Sequence, residues 1–119
     1  MRKIYALVLA LLLANTTFAQ KSPEEFLGYK LGDRFTPHHR VVAYFEHLAA
    51  TLPNVKLVYY GETYEHRPLF VAMVSTPDNM GKLEDIRKDN LRRTGVLEGT
   101  PSTKVALNWM QYNVHGNEA

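Results

Sequence analysis

The stretch VKLVYYGETYEHRPLFVAMV, residues 55–74, decides the fold of this chain. It contains two runs rich in β-branched and aromatic residues, Val55 to Tyr60 and Leu69 to Val74, separated by the polar turn Gly61 to Pro68. Such runs, bounded by turn residues, are typical of β-strands, and their order predicts a hairpin-like pair. Leu69 to Val74 is nearly all apolar, which is typical of a strand covered on both faces.

A helix is predicted before this pair. Thr36 is the expected N-cap and Pro37 the first helical residue, where a missing backbone N–H costs nothing. Pro53 follows the last apolar position and is expected to end the helix. The residues between them predict one apolar face, because they recur at helical spacing. They are Val41, Tyr44, Phe45, Leu48, Ala49 and Leu52.

After the pair, the chain alternates between helical and extended patterns. Thr76 to Asn79 indicates a loop or a helix start, and Lys82 to Arg93 predicts a helix whose alternating charges form a solvated face. Asp89 and Arg93 have the spacing of a favourable pair on that helix. Lys104 to Val114 is mostly apolar and predicts a third strand. Strands mixed with helices place the chain in the α/β class.

Residues 1–19 have the pattern of a cleaved export signal. Two basic residues precede the apolar run Ile4 to Ala14, and Thr17-Phe18-Ala19 supplies small residues at the expected cleavage site. The apolar run is shorter than the roughly 20 residues that a membrane-spanning helix needs. We therefore expect an exported chain, periplasmic or secreted, that begins at Gln20 and has no stable membrane anchor. Residues 20–35 are predicted to be an irregular lead-in.

Composition excludes several classes of function. The formal net charge is +2, and this excess belongs to the basic residues of the leader, so nothing indicates binding to nucleic acid. The chain has no cysteine, which excludes a disulfide scaffold, a thiolate zinc site and a cysteine nucleophile. Any metal ion must therefore be held by histidine and carboxylate.

The sequence His115-Gly116-Asn117-Glu118 is the strongest candidate for a functional site. It follows the predicted strand Lys104 to Val114, and ligands in open α/β sheets bind at the carboxyl ends of strands. Gly116 permits a sharp turn, so that His115 and Glu118 could converge on one ion. Neutral imidazole and carboxylate are suitable zinc ligands. Taken alone, the spacing is also compatible with a polar loop that binds no metal.

The other titratable clusters are predicted to be solvated. His38 and His39 are adjacent on a helix and point in different directions, which makes them poor joint ligands. His47 is expected to face solvent beside Glu46. A last cluster lies in the predicted turn, where Arg67 is expected to brace the loop through a nearby carboxylate. Its members are Glu62, Glu65, His66 and Arg67.

Several segments together resemble the zinc carboxypeptidases. YNVHGNEA, residues 112–119, is similar to the first metal motif of that family, and GETYEHRPL, residues 61–69, is similar to its turn between the first two strands. The apolar run Phe70 to Ser75 and the segment Thr76 to Asn79, followed by a charged helix, also fit the larger bacterial members. The resemblance covers residues 36–119.

The resemblance implies a function and a fold. It implies zinc-dependent hydrolysis of peptide bonds in a peptide or protein substrate, with one Zn²⁺ held by His115, Glu118 and a second histidine beyond Ala119. A general base and substrate-binding arginines are also expected beyond Ala119, so residues 1–119 alone would be inactive and contain no catalytic residue. The fold implied is the N-terminal part of a mixed, mostly parallel sheet flanked by helices, an incomplete phosphorylase/hydrolase-like domain.

Two other functions remain open at this point. Zinc-dependent deacylases of acylated amino acids also use a His-Gly-Asn-Glu type of motif, although the leader and the segment Gly61 to Ser75 fit them poorly. The chain could also belong to a peptidase-like binding module that has lost its chemistry. A substrate-binding residue cannot be assigned from the sequence.

Overall fold

An antiparallel β-hairpin lies at the centre of the computed structural model, which describes residues 20–112. Strand β1, Val55–Glu62, pairs with strand β2, Pro68–Val74, and Val55 lies opposite Val74. The register shifts by one residue at Tyr60, between Tyr59 and Gly61. The predicted hairpin is therefore confirmed, and both strands extend further into the turn than the sequence pattern indicates.

Four helices accompany the hairpin in the part of the chain that the structure describes. They are α1, Pro23–Leu27; α2, His38–Thr51; α3, Pro77–Met80; and α4, Leu83–Arg93. Helices α2 and α4 confirm the two predicted long helices, and α3 begins at the predicted segment with Thr76 as its cap. The fold is thus mixed α/β. The sheet of residues 20–112 has two antiparallel strands, so it contains none of the parallel pairing that the resemblance implies.

Helix α1 corrects the prediction of an irregular lead-in over residues 20–35. The hydroxyl of Ser22 accepts the N–H of Glu25, and the Glu25 carboxylate accepts the N–H of Ser22, which completes a capping box. Gly28 ends the helix in the left-handed conformation, at φ 80°. The sequence carries this signal in Ser22 and Glu25, three residues apart, with Pro23 at the first helical position.

Helix α2 begins one residue later than expected and without a side-chain cap. Pro37 occupies the cap position. The hydroxyl of Thr36, the predicted cap, instead accepts a 2.8 Å hydrogen bond from the hydroxyl of Tyr29. The cap prediction is wrong because Thr36 has a competing partner in the loop before the helix.

The hairpin packs against α2 through aromatic side chains. The Phe70 ring of β2 lies 5.5 Å from Phe45 of α2 and 5.8 Å from Tyr59 of β1, measured between ring centroids. The hydroxyl of Tyr59 donates a 2.8 Å hydrogen bond to the Glu46 carboxylate, which ties β1 to the same helix. Phe45 of the predicted apolar face therefore meets the hairpin. Tyr44 of that face instead packs against Phe26 of α1, and the buried residue of α2 is Val42, which the prediction does not include.

Strand β2 is less buried than its apolar sequence predicts. Its residues from Pro68 to Met73 are half-buried, and Val74 is 65% exposed. Among the described residues, the buried apolar side chains are Val42, Val55 and Ile86. A strand covered on both faces requires layers on both sides of the sheet, and residues 20–112 supply only part of that cover.

Residues 104–112 correct the prediction of a third strand. They form neither helix nor strand, and the side chains of Leu107, Trp109 and Tyr112 are exposed. A strand needs a neighbour to receive its backbone hydrogen bonds, and the sheet of the described residues contains only β1 and β2. Across residues 20–112, no helix is both long and apolar enough to cross a membrane.

Replacement of Phe70 with alanine should lower the free energy of unfolding by about 2 kcal/mol, because it removes two aromatic contacts from a half-buried site. Val74→Ala is the matched control, since Val74 lies on the same strand but is mostly exposed. Urea unfolding followed by circular dichroism measures both changes. Equal losses in the two variants would contradict the aromatic contact as the basis of hairpin packing.

Candidate functional site

The predicted metal ligands His115 and Glu118 lie outside the described residues, which end at Tyr112. What the structure describes is the chain that leads to them, which includes helix α4 and the connector after it, Gly95 to Thr103. The other titratable clusters named from the sequence lie within residues 20–112. The donor set of the motif, one imidazole and one carboxylate, suits Zn²⁺ in a chain without thiolates.

Helix α4 is followed by a reversal of the chain that brings the connector back beside the helix. The N–H groups of Val96 and Leu97 both donate to the carbonyl of Leu91, at 2.9 and 3.1 Å. Gly95 and Gly99 have positive φ values of 74° and 107°, which glycine adopts without steric cost. These turns place the connector against the last turns of α4.

A buried carboxylate fastens the connector to this helix. Asp89 is fully buried. Its Oδ2 atom accepts the N–H of Ser102 at 2.8 Å, the hydroxyl of Ser102 at 2.9 Å and the N–H of Thr103. Its Oδ1 atom accepts a 2.8 Å hydrogen bond from the Arg92 guanidinium. Four donors therefore compensate the cost of burying this charge.

These donors control the ionisation of Asp89. Burial alone would raise the pKa of the carboxyl group. The N–H of Thr103, the Arg92 guanidinium and both donors of Ser102 favour the charged form, and together they hold the pKa well below its usual range. Asp89 is therefore a carboxylate at every pH at which the chain is expected to function.

A second contact from α4 reaches the start of the segment that leads to the motif. The guanidinium of Arg93 donates a 3.2 Å hydrogen bond to the carbonyl oxygen of Val105. Asp89 and Arg93, one turn apart, thus hold the chain at residues 102–105. Helix α4 therefore fixes the position of the backbone at Val105, which precedes His115 in the chain.

The prediction of a solvated charged face on α4 is correct for one part of the helix and wrong for Asp89. Arg87 makes two 2.8 Å hydrogen bonds to Glu84, both side chains are more than half exposed, and this contact lowers the pKa of Glu84 to about 2. Asp89 is buried and pairs with Arg92, not with Arg93 as expected. Its position three residues after the buried Ile86 was the available signal, because such residues share a helix face.

The histidines within residues 20–112 do not converge on a common point. His38 is half-buried and His39 exposed at the start of α2. His66 lies in the hairpin turn. No group of three or more His, Asp or Glu side chains in the described part of the chain is placed to hold a metal ion.

His47 corrects the expectation of a solvated side chain. It is half-buried, and its ring stacks on Phe26 of α1 with centroids 5.2 Å apart and planes at 27°. Its Nε2 atom lies 3.4 Å from the backbone N–H of Lys21. His47 therefore helps to dock α1 on α2, which explains its position without a metal.

The hairpin turn confirms the prediction of a solvated cluster. Arg67 forms an ion pair with Glu65, and the Nδ1 atom of His66 lies 3.3 Å from the Glu62 carboxylate. All four side chains are more than half exposed. The N–H of Arg67 donates to the hydroxyl of Thr63, and His66 has a positive φ of 56°. The cluster therefore braces the turn, and its side chains remain solvated.

Comparison with known proteins adds no relative: no family model, no curated protein and no solved structure matches this chain.

Asp89→Asn should destabilise the connector, because an amide turns two donors toward a site already filled with donors. The native carboxyl group has a lower pKa in the folded chain than its value of about 3.9 in an unfolded one. Its contribution to stability is therefore complete above about pH 5 and declines as the pH falls below that value. Urea midpoints measured between pH 3 and pH 7 should drop less steeply in Asp89→Asn than in the native chain.

Glu84→Gln is the matched control for this experiment. Glu84 lies on the same helix and also has a lowered pKa, but it is exposed and does not contact the connector. Its substitution should leave the midpoint at pH 7 nearly unchanged. A pH profile of Asp89→Asn that parallels the native profile would exclude Asp89 as the source of the acid sensitivity.

Proposed function

We propose that this chain is part of a zinc-dependent metallocarboxypeptidase that hydrolyses peptide bonds outside the cytoplasm. The observation that carries the proposal is the sequence His115-Gly116-Asn117-Glu118, which follows an apolar segment. The segment Gly61 to Leu69 supports it, because its resemblance to the family's turn between two strands agrees with the hairpin formed by β1 and β2.

In this proposal, His115 and Glu118 are two protein ligands of one Zn²⁺. Catalytic zinc ions commonly have three protein ligands and a water molecule, so a further histidine must come from outside residues 1–119. When bound, the ion supplies a water of lowered pKa and polarises the carbonyl oxygen of the substrate. The residues of this chain have the role of holding and orienting the ion.

The general base and the arginines that bind substrate are likewise proposed to lie outside residues 1–119. The chain supplies no catalytic residue other than the metal ligands, and these residues alone are expected to be inactive. The substrate is a peptide or protein, and the leader of residues 1–19 indicates a periplasmic or secreted enzyme.

The mostly parallel sheet belongs to the same proposal. Strands β1 and β2 each have one edge that is not paired within residues 20–112. Unpaired edges are places where further strands add to a sheet. Additional strands, with helices on both faces, would cover the half-buried residues of β2 and explain its nearly continuous apolar sequence.

Zinc titration of residues 20–119 tests the ligand assignment. With two protein ligands we expect a dissociation constant weaker than about 1 μM at neutral pH, and loss of this binding in His115→Ala and in Glu118→Ala. The control is His66→Ala, which removes an exposed imidazole near a carboxylate and should change nothing. Zinc binding unaffected by His115→Ala would reject the site. Submicromolar binding lost in His115→Ala would show that no further ligand is needed.

Hydrolysis by the complete gene product separates the three functions. A carboxypeptidase should release C-terminal residues from peptides, lose activity on chelation and regain it with Zn²⁺. Glu118→Ala should lower kcat/KM by roughly 10²- to 10³-fold, since the metal contributes several kcal/mol to the transition state, and should reduce the zinc content. Activity confined to acylated amino acids would favour a deacylase. Binding of peptides without hydrolysis would favour the non-catalytic module.

A further inference from the structure

A shallow cavity opens between the loop after α1 and the beginning of α2. Its volume is about 390 Å³. Two guanidinium groups and four largely apolar side chains form its wall. The residues are Leu27, Tyr29, Arg34, Phe35, Pro37 and Arg40.

The loop that forms one side of this cavity is held in a defined conformation. The Tyr29 hydroxyl donates a 2.8 Å hydrogen bond to Thr36, which closes the loop between them. The guanidinium carbon of Arg34 lies 3.9 Å from the centroid of the Tyr29 ring, in a cation–π contact. This contact holds the Arg34 guanidinium beside the loop.

Arg40 forms the opposite side. One of its terminal nitrogens donates to the carbonyl oxygens of Phe26 and Leu27, at 3.1 and 3.4 Å, and so fixes the side chain across the end of α1. A guanidinium has five N–H donors. The remaining donors of Arg40 have no protein acceptor among residues 20–112.

The charge around the cavity is unbalanced. Among the described arginines, Arg67, Arg87 and Arg92 each contact a carboxylate. Arg34 and Arg40 contact none within residues 20–112, although both are held by other interactions. The segment from Tyr29 to Arg40 contains three side chains with permanent positive charge and a single acid, Asp33. A ligand with negative charge is therefore favoured.

The apolar wall restricts the class of anion. Phe35 is 54% exposed, and it lies beside Pro37 and Leu27 in the cavity wall. Burial of exposed aromatic surface favours a ligand with an apolar body, and guanidinium groups pair with carboxylates in bidentate geometry. We propose that this cavity, the Arg34–Arg40 groove, binds an apolar carboxylate. Such a group occurs both in free organic acids and at the C-terminus of a peptide.

Binding to metal-free chain, prepared with chelator and then dialysed, tests the groove without the proposed zinc site. The probes are N-acetyl-L-phenylalanine for a peptide terminus and phenylacetate for a free acid, titrated while backbone amide NMR signals are followed. We expect shifts at Tyr29 and Phe35 with a dissociation constant of about 1 mM for at least one probe. The tighter probe identifies the source of the carboxylate.

Two further ligands test whether the groove recognises the charge and the apolar body of the acid. N-acetyl-L-phenylalanine amide lacks the charge and should bind at least about tenfold more weakly than the acid. Inorganic phosphate lacks the apolar body and should also bind more weakly. Equal binding of the amide would overturn the role of the guanidinium groups, and equal binding of phosphate would overturn the role of the apolar wall.

Variants of the groove residues test whether the acid binds in the Arg34–Arg40 groove. Arg34→Gln should weaken binding of the tighter acid about tenfold, and Phe35→Ala should weaken it several-fold. Neither side chain holds α1, so both variants are expected to fold, whereas Arg40 also braces α1. The matched control is Arg87→Gln, because Arg87 lies on α4 and pairs with Glu84. Unchanged affinity in Arg34→Gln, or an equal loss in Arg87→Gln, would refute the proposal.

Discussion

The buried carboxylate of Asp89 determines the path of the chain after helix α4. An unpaired charge in this position would be strongly unfavourable, so the fold requires donors around it. Ser102 and Thr103 supply three of them and Arg92 the fourth. The connector must return to α4 for this reason, and the turns at Gly95 and Gly99 make that return possible. Asp89 thus contacts residues that are near it in space but separated from it in sequence by most of the connector.

The hairpin and the two long helices could be predicted because their signals are local. Runs of β-branched and aromatic residues, apolar residues at helical spacing, turn residues and the helix-ending Pro53 are all signals that act over a few positions. Helix α1 was also encoded locally, in the reciprocal bonds of Ser22 and Glu25. It was missed because five residues are too few to produce an apolar period.

The errors concern residues whose environment comes from elsewhere in the chain. The spacing from Ile86 places Asp89 on the buried face of α4, but the donors that make this burial possible come from Ser102 and Thr103, outside the helix. His47 is covered by Phe26. The segment 104–112 has a strand-like composition, but the backbone N–H and C=O groups of a strand also need a neighbouring strand as hydrogen-bond partner. Composition alone does not show whether that neighbour is present. The candidate motif His115-Gly116-Asn117-Glu118 could be named from the sequence, and it lies outside the described residues.

The affinity of a metal site depends on how much of its geometry is fixed before the ion arrives. Ligands on ordered backbone lose less entropy on binding than ligands on a free segment, where each residue fixed costs about 1–2 kcal/mol. Helix α4 fixes the approach to the motif as far as Val105, through Asp89 and Arg93. The segment from Ala106 to Tyr112 has no ladder to hold it within the described chain. If His115 and Glu118 bind Zn²⁺ as proposed, that binding would be coupled to the addition of further strands to the sheet, since the same neighbours would order the segment and complete the ligand set.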